Sequence, residues 1–108
     1  MSWVNINQDI LESSLFKNKN KNPLIVFMYL LLSVNFKKVT TYINSDHKTI
    51  MPGSIVTGRK KIARECMISE QQVRTALSFL VESKRISIEP YSSCSIITIL
   101  DWSYYIGG

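Results

Sequence analysis

The middle of the chain carries a dense group of cationic side chains: Arg59, Lys60, Lys61 and Arg64. Lysine and arginine neutralise phosphates, so such a group attracts a polyanion whatever the sequence of that polyanion. The chain of 108 residues shares this bias, with 13 Lys and Arg against 8 Asp and Glu and a formal charge of +5. A basic group alone is more often solvated surface, and its interpretation therefore depends on the segments around it.

A strong helix-start signal follows at Ser69. Ser69 and Gln72 have the spacing of a capping box, in which the serine hydroxyl accepts a bond from the Gln72 amide and the Gln72 side chain reaches back. Apolar residues then recur with helical spacing, which predicts one buried stripe made of Val73, Ala76, Leu77, Leu80 and Val81. The side chains of this helix that we expect to contact base edges or phosphates of DNA are Ser69, Gln71, Gln72, Arg74, Thr75 and Ser78.

A β-hairpin is predicted next, because residues 85–89 alternate polar and apolar, residues 90–94 have turn chemistry and residues 95–100 form a more apolar strand. Its candidate DNA contacts are Arg85, Tyr91 and Ser93. A basic helix, a tight turn, a capped helix and a hairpin in this order predict an α+β fold of the winged helix-turn-helix type. We expect about four helices, with a small antiparallel β-hairpin as the wing.

The sequence does not favour catalysis. It contains no carboxylate pair, no Cys–His pair and no phosphate-cradling loop, and its two cysteines, Cys66 and Cys94, have no metal-type spacing. We therefore expect no enzyme activity, metal, cofactor or small-molecule substrate. The apolar run from Leu24 to Leu32 is too short to span a membrane, and the N-terminus lacks a secretory pattern. We expect a protein of the bacterial or phage-infected cytoplasm with no membrane partner.

The rest of the chain is expected to support this unit as a single domain over residues 1–108. A short amphipathic helix is predicted over Asp9–Phe16, and Asn22 is predicted to cap a largely buried helix that starts at Pro23. Residues 37–52 are the least readable, with a strand at 39–43, a turn at 44–47 and a returning strand at 48–50. The aromatic residues near the two ends are expected to pack onto the body: Trp3, Trp102, Tyr104 and Tyr105. The predicted parts are an N-terminal arm (1–22), a core helix (23–36), a helix-turn-helix (59–84) and a wing (85–101).

Two stretches, Pro52–Ala63 and Ile68–Leu77, resemble the winged-helix N-terminal domain of phage replisome organisers, the DnaD-like replication initiation proteins. The strand at 95–99, the aromatic close at 102–105, Trp3 and the run at 27–32 are also similar, so that the resemblance covers most of the chain except residues 37–50. It implies that the chain binds origin DNA or self-associates, while a separate C-terminal domain helps recruit the helicase machinery.

The sequence departs from the family pattern in two ways. The family usually carries Gly where this chain has Met67, and a bulky residue at positive φ is costly, so we expect the turn to be built differently here. The chain also stops near Gly108, before any helicase-recruiting segment. The resemblance therefore implies either a DNA-binding fragment or a stand-alone relative with another use.

Three functions remain open at this point. The first is duplex DNA binding in phage or plasmid replication, and the second is transcriptional regulation with the same fold. The third is a protein-interaction module that binds a replication or host protein, as a phage-encoded inhibitor would. A homodimer is a further expectation, because of the family resemblance and because the large apolar Phe79 lies beside the polar face of the capped helix.

Overall fold

The computed structural model describes residues 4–106, so that Trp3 and the terminal Gly107–Gly108 lie outside the described residues. The predicted α+β class is confirmed, but residues 4–106 contain five α-helices rather than about four. The helices are α1 (Ser14–Lys17), α2 (Asn22–Ser33), α3 (Arg59–Cys66), α4 (Glu70–Glu82) and α5 (Trp102–Tyr105). The strands are β1 (Val39–Ile43), β2 (Asp46–Ile50), β3 (Ser54–Thr57), β4 (Ile86–Pro90) and β5 (Ser95–Ile99).

The predicted helix over Asp9–Phe16 is wrong, because Ser13 divides it into a 3₁₀ turn (Gln8–Glu12) and α1. The Ser13 hydroxyl donates to the carbonyl of Ile10 at 2.6 Å and accepts a bond from the amide of Phe16 at 3.3 Å. A serine that bonds its neighbouring backbone in this way competes with a continuous helix. Leu15 is buried, whereas Leu11 and Phe16 are exposed.

Helix α2 is the central helix of the core, as predicted, but its boundaries differ. It begins at Asn22, with Lys21 rather than Asn22 in the cap position, and the Asn22 amide donates to the Asn20 side chain at 3.0 Å. It ends at Ser33 rather than near residue 36. The reason is that the Asn35 amide and side chain both donate to the carbonyl of Ser54, at 3.0 and 3.1 Å, which draws the chain away to the start of β3.

The main core lies between α2, α3, α4 and the inner face of a three-stranded sheet. It contains apolar side chains from each of these elements, including Phe27, Leu30, Ile62, Val73, Leu80 and Ile97. The predicted stripe of α4 is buried at four positions, but Val81 is 42% exposed. No helix within residues 4–106 is long and apolar enough to cross a membrane.

The strands form two antiparallel sheets. One has the order β3-β5-β4, with Val56 opposite Ile96 and Ile88 opposite Ile97. The other is the β1–β2 hairpin, in the region that was hardest to read, and its second strand starts at Asp46 rather than Lys48. A separate small cluster, formed by Ile43, Ile50 and Ile96, joins this hairpin to the larger sheet.

The two ends of the described chain are joined to each other and to the core. The Asn7 amide donates to the carbonyl of Tyr105 at 2.8 Å, and the Tyr105 ring meets Phe27 edge-on at 4.9 Å. Trp102 covers Gly53, which has φ +86, and a Cβ there would lie 2.9 Å from the Trp102 Cβ and Cγ atoms. Only glycine fits this combination of backbone angle and close approach. Tyr104 is 54% exposed and lies outside the core, but its hydroxyl donates to Asp9 at 3.2 Å and its ring meets Tyr105 edge-on at 5.4 Å, so it helps to join the two ends.

Candidate nucleic-acid interface

The basic helix α3 has an N-terminus without a side-chain cap. Gly58 precedes it, and no side chain accepts a bond from the amides of the first turn. Thr57, one residue earlier, is buried, and its hydroxyl has no partner within the described residues. The free amides and the helix dipole make this end a favourable position for an anion such as a phosphate.

The four cationic side chains of α3 are all exposed, because Ile62 and Ala63 occupy the buried face: Arg59, Lys60, Lys61 and Arg64. Within residues 4–106 the ion pair found is Lys17 with Glu12, at 3.1 Å. The charges of α3 are therefore not neutralised by a carboxylate in contact, and they remain available to an external anion.

The turn between α3 and α4 contradicts the expectation that Met67 would require a different construction. Met67 adopts the left-handed conformation, with φ 58 and ψ 44, and its side chain is 90% exposed. Its amide and the amide of Ile68 both donate to the carbonyl of Ala63, the latter at 3.1 Å, which closes the end of α3. The turn therefore has the geometry that glycine usually provides, with methionine in its place.

The predicted capping box at the start of α4 is confirmed. The Ser69 amide donates to Oε1 of Gln72 at 2.9 Å, and the Gln72 amide donates to Oγ of Ser69 at 3.0 Å. The side-chain oxygen Oε1 of Gln72 thus accepts a bond within the chain, whereas the Ser69 hydroxyl hydrogen and the Gln72 side-chain amino group remain free. The other polar residues predicted on α4 are exposed and make no side-chain bond among the described residues: Gln71, Arg74, Thr75 and Ser78.

Two adjoining clefts separate α3 and α4 from the β4–β5 turn (Tyr91–Cys94). The smaller, of about 350 Å³, lies between the start of α3 and this turn, and its walls include Arg59, Lys60, Tyr91 and Ser93. The larger, of about 510 Å³, runs along α4 and is lined by Arg59, Arg74, Ser78 and Tyr91 among others. The two clefts share Arg59 and Tyr91, so the structure brings together six of the thirteen residues predicted from the sequence.

The remaining predicted residues lie outside these clefts. Lys61 and Arg64 are further along α3, and Gln71 and Thr75 are exposed on α4 but do not line the clefts. Arg85 precedes β4 at the end opposite the β4–β5 turn, and its Nε is buried without a partner among the described residues.

Three features of this surface were not predicted from the sequence. Lys48 of β2 lies with its ammonium 5.5 Å from the centre of the Tyr91 ring. Carboxylates also line the clefts, Glu70 in the smaller and Glu82 in the larger. The larger cleft has an apolar floor made of Leu77, Val81, Ile88 and Pro90. No local signal links Lys48 to Tyr91, because the two residues are 43 positions apart in the sequence.

Other candidate features have ordinary surroundings. Phe79 is half-buried and packs against the main core beside α1, so only part of its ring is available to a second copy. Burial, followed by the charge of Glu65, raises the pKa of the Cys66 thiol. The described residues contain no group of three or more side chains suited to hold a metal ion.

No protein-family model matches the chain, and no curated protein and no solved structure gives a significant match.

Proposed function

We propose that this protein is a winged-helix protein that binds duplex DNA and acts in phage or plasmid replication initiation, in a bacterial cytoplasm. The observation that carries the proposal is the convergence of the uncapped basic end of α3, the polar side of α4 and the β4–β5 turn on one pair of clefts. The element order α2, β3, α3, α4, β4, β5, with β3 paired to β5, also supports a winged-helix assignment. The replication role depends on the family resemblance alone.

In this proposal α3 lies along the DNA backbone and α4 enters the major groove. Arg59 and Lys60 bind phosphates beside the free amides of the α3 N-terminus, which adds dipole attraction to charge. Gln71, Arg74, Thr75 and Ser78 face the base edges, and Tyr91 with Ser93 contacts the neighbouring backbone. Ser69 donates its free hydroxyl hydrogen to a phosphate, while its oxygen still accepts the Gln72 amide.

The phosphate contacts are tested by salt titration with a labelled duplex. Replacing Lys60 and Lys61 together by Ala should weaken binding to all sequences and flatten the slope of log K against log salt by roughly one to two. Lys19→Ala, which removes an exposed lysine from the loop between α1 and α2, is the matched control and should leave the slope almost unchanged. An unchanged slope in the double variant would show that α3 does not lie against the backbone.

Base reading is tested by selecting a preferred site from a random duplex library. At one fixed salt concentration, Gln71→Ala and Thr75→Ala should each lose about 1–3 kcal/mol of preference for that site while keeping non-specific affinity. Full discrimination in both variants would remove α4 as the reader. The same selection, compared with the positions of its sites in replication origins or promoters, separates initiation from transcriptional regulation.

The apolar floor of the larger cleft favours a second candidate, a module that binds a replication or host protein. Leu77, Val81, Ile88 and Pro90 offer a surface suited to an apolar side chain rather than to a phosphate. This candidate predicts that a partner protein is captured with little dependence on salt and that the electrophoretic mobility of duplex DNA does not change. A homodimer is also proposed, and sedimentation that gives only monomer at high concentration would exclude it.

A further inference from the structure

The β1–β2 hairpin lies beside the proposed DNA surface without belonging to the main core. It is held by the small cluster in which Ile43 and Ile50 pack on Ile96, with Val56, Tyr91 and Cys94 around them. An isolated two-stranded hairpin is marginally stable in water. This cluster therefore fixes the hairpin to the end of the larger sheet that carries the β4–β5 turn.

The register of the hairpin gives its two faces different roles. Ile43, Ile50 and Lys48 share the inner face with the carboxylate Asp46, where Lys48 is opposite Thr41 and Asp46 is opposite Ile43. The outer face carries Tyr42 opposite His47, with ring centres 5.2 Å apart, and Tyr42 is 72% exposed. Both side chains are exposed, and Tyr42 belongs to neither hydrophobic cluster of the described residues.

Lys48 connects the hairpin to the clefts. Its ammonium lies over the Tyr91 ring, and Tyr91 lines both clefts together with Arg59. The Tyr91 phenol, followed by the charges of Glu89 and Asp46, raises the pKa of Lys48.

Cationic charge is concentrated at the base of the hairpin rather than along its strands. Lys37 and Lys38 are exposed and directly precede β1, whereas within residues 39–50 the charges of Lys48 and Asp46 balance each other. The four residues of the outer face carry no carboxylate: Thr40, Tyr42, His47 and Thr49.

We infer that the β1–β2 hairpin is a second arm of the DNA interface, which binds the sugar-phosphate backbone of the duplex beyond the stretch covered by the β4–β5 turn. This inference rests on the proposed DNA-binding function. Lys48 binds a phosphate at the junction of the two hairpins, while Tyr42 and His47 contact the backbone further out. Five residues of strand extend about 17 Å, which corresponds to on the order of five base pairs of duplex.

The test uses the intact chain with two variants of the hairpin. Lys48→Met keeps an apolar stem over the Tyr91 ring and removes the charge, and the double variant Tyr42→Ala with His47→Ala alters only the outer face. The first should reduce the salt slope by about one and the affinity at 0.15 M salt by about fivefold. The second should shorten the hydroxyl-radical footprint on one side by on the order of three to five base pairs. Thermal melting establishes that both variants fold, and Lys19→Ala is the charge control.

Two results would overturn the inference, and they are distinguishable. If the wild type binds duplex and the Lys60 and Lys61 double variant weakens it, while both hairpin variants keep the wild-type slope and footprint, the hairpin is not part of the interface although the proposed function stands. If the wild type shows no salt-dependent binding of duplex, the proposed function fails and the second arm fails with it.

Discussion

The left-handed residue in the α3–α4 turn provides a direct test of the structure. Met67 has φ 58 and ψ 44, a conformation that costs a residue with a Cβ about 1–2 kcal/mol. Its side chain is 90% exposed, so its burial contributes only about a tenth of the roughly 1.5–3 kcal/mol of a fully buried methionine. The backbone penalty therefore exceeds the packing contribution by several-fold.

Replacing Met67 by Gly should consequently stabilise the protein. Removal of the penalty is partly offset by the larger entropy of a glycine in the unfolded chain, about 0.4–1 kcal/mol, which leaves a net gain of about 0.5 kcal/mol. Met67→Asn keeps a Cβ but tolerates this conformation and should gain a similar amount. Each gain should raise the Tm by roughly 2–4 °C for a domain of this size.

Urea unfolding followed by circular dichroism is the assay, with Met67→Ala as the control. Alanine keeps the Cβ and removes the exposed thioether, so its free energy of unfolding should stay within about 0.5 kcal/mol of the wild type. If Gly and Asn destabilise the protein, or if Ala gains as much as Gly, then Met67 is not held in the left-handed conformation and the turn is built in another way.

Three further predictions concern the core and its surroundings. Leu77→Ala should cost about 2–4 kcal/mol in thermal or urea unfolding because Leu77 is 7% exposed, whereas Val81→Ala on the same helix should cost under about 1 kcal/mol. Gly53→Ala should cost about 1–3 kcal/mol and alter the near-ultraviolet signal of tryptophan, while Gly58→Ala, with open space around the position, should change both far less. Because burial raises the pKa of Cys66, its alkylation at pH 8 should be slower in the folded protein than in urea, and equal rates would contradict that burial.

Local signals in the sequence were sufficient to predict interactions between groups that are close along the chain. Ser69 and Gln72 are three residues apart, and both bonds of their capping box follow from that spacing. Local bonds also explain why the helix predicted over Asp9–Phe16 is wrong. Ser13 bonds its neighbouring backbone and so competes with a continuous helix, but the helical pattern of apolar residues around it obscured that competition. Periodicity predicts where a helix is possible, whereas the cap residues decide where it ends.

The turn at Met67 was predicted wrongly for an energetic reason. A cost of about 1–2 kcal/mol at one residue is smaller than the burial of the apolar side chains that the turn brings together. Ile62 before the turn is buried, and Val73 after it is buried as well. A rule that assigns glycine to a left-handed position therefore describes a preference, and the packing on either side can override it.

Contacts between segments that are distant along the chain could not be predicted from the sequence. The pairing of β3 with β5 and the packing of Ile43 on Ile96 depend on residues about 40–55 positions apart, for which spacing carries no information. The candidate site shows the same division. The basic residues of α3 and the polar face of α4 were found from local patterns, while the clefts, their carboxylates and the approach of Lys48 to Tyr91 required the fold.

The capping box also bears on the proposed reading of DNA by the start of α4. The side-chain oxygen Oε1 of Gln72 accepts a hydrogen bond from the Ser69 amide. Bidentate pairing with adenine requires both the side-chain oxygen and the side-chain amino group of a glutamine. Oε1 has a second lone pair, but the box holds the side chain toward the Ser69 amide, so turning Gln72 toward an adenine would cost the helix about 0.5–2 kcal/mol. That cost is comparable to the roughly 1–3 kcal/mol gained from one good base contact. Gln71, which is exposed and makes no such bond, keeps both groups free, so in the proposed complex with DNA we expect Gln71 rather than Gln72 to read a base.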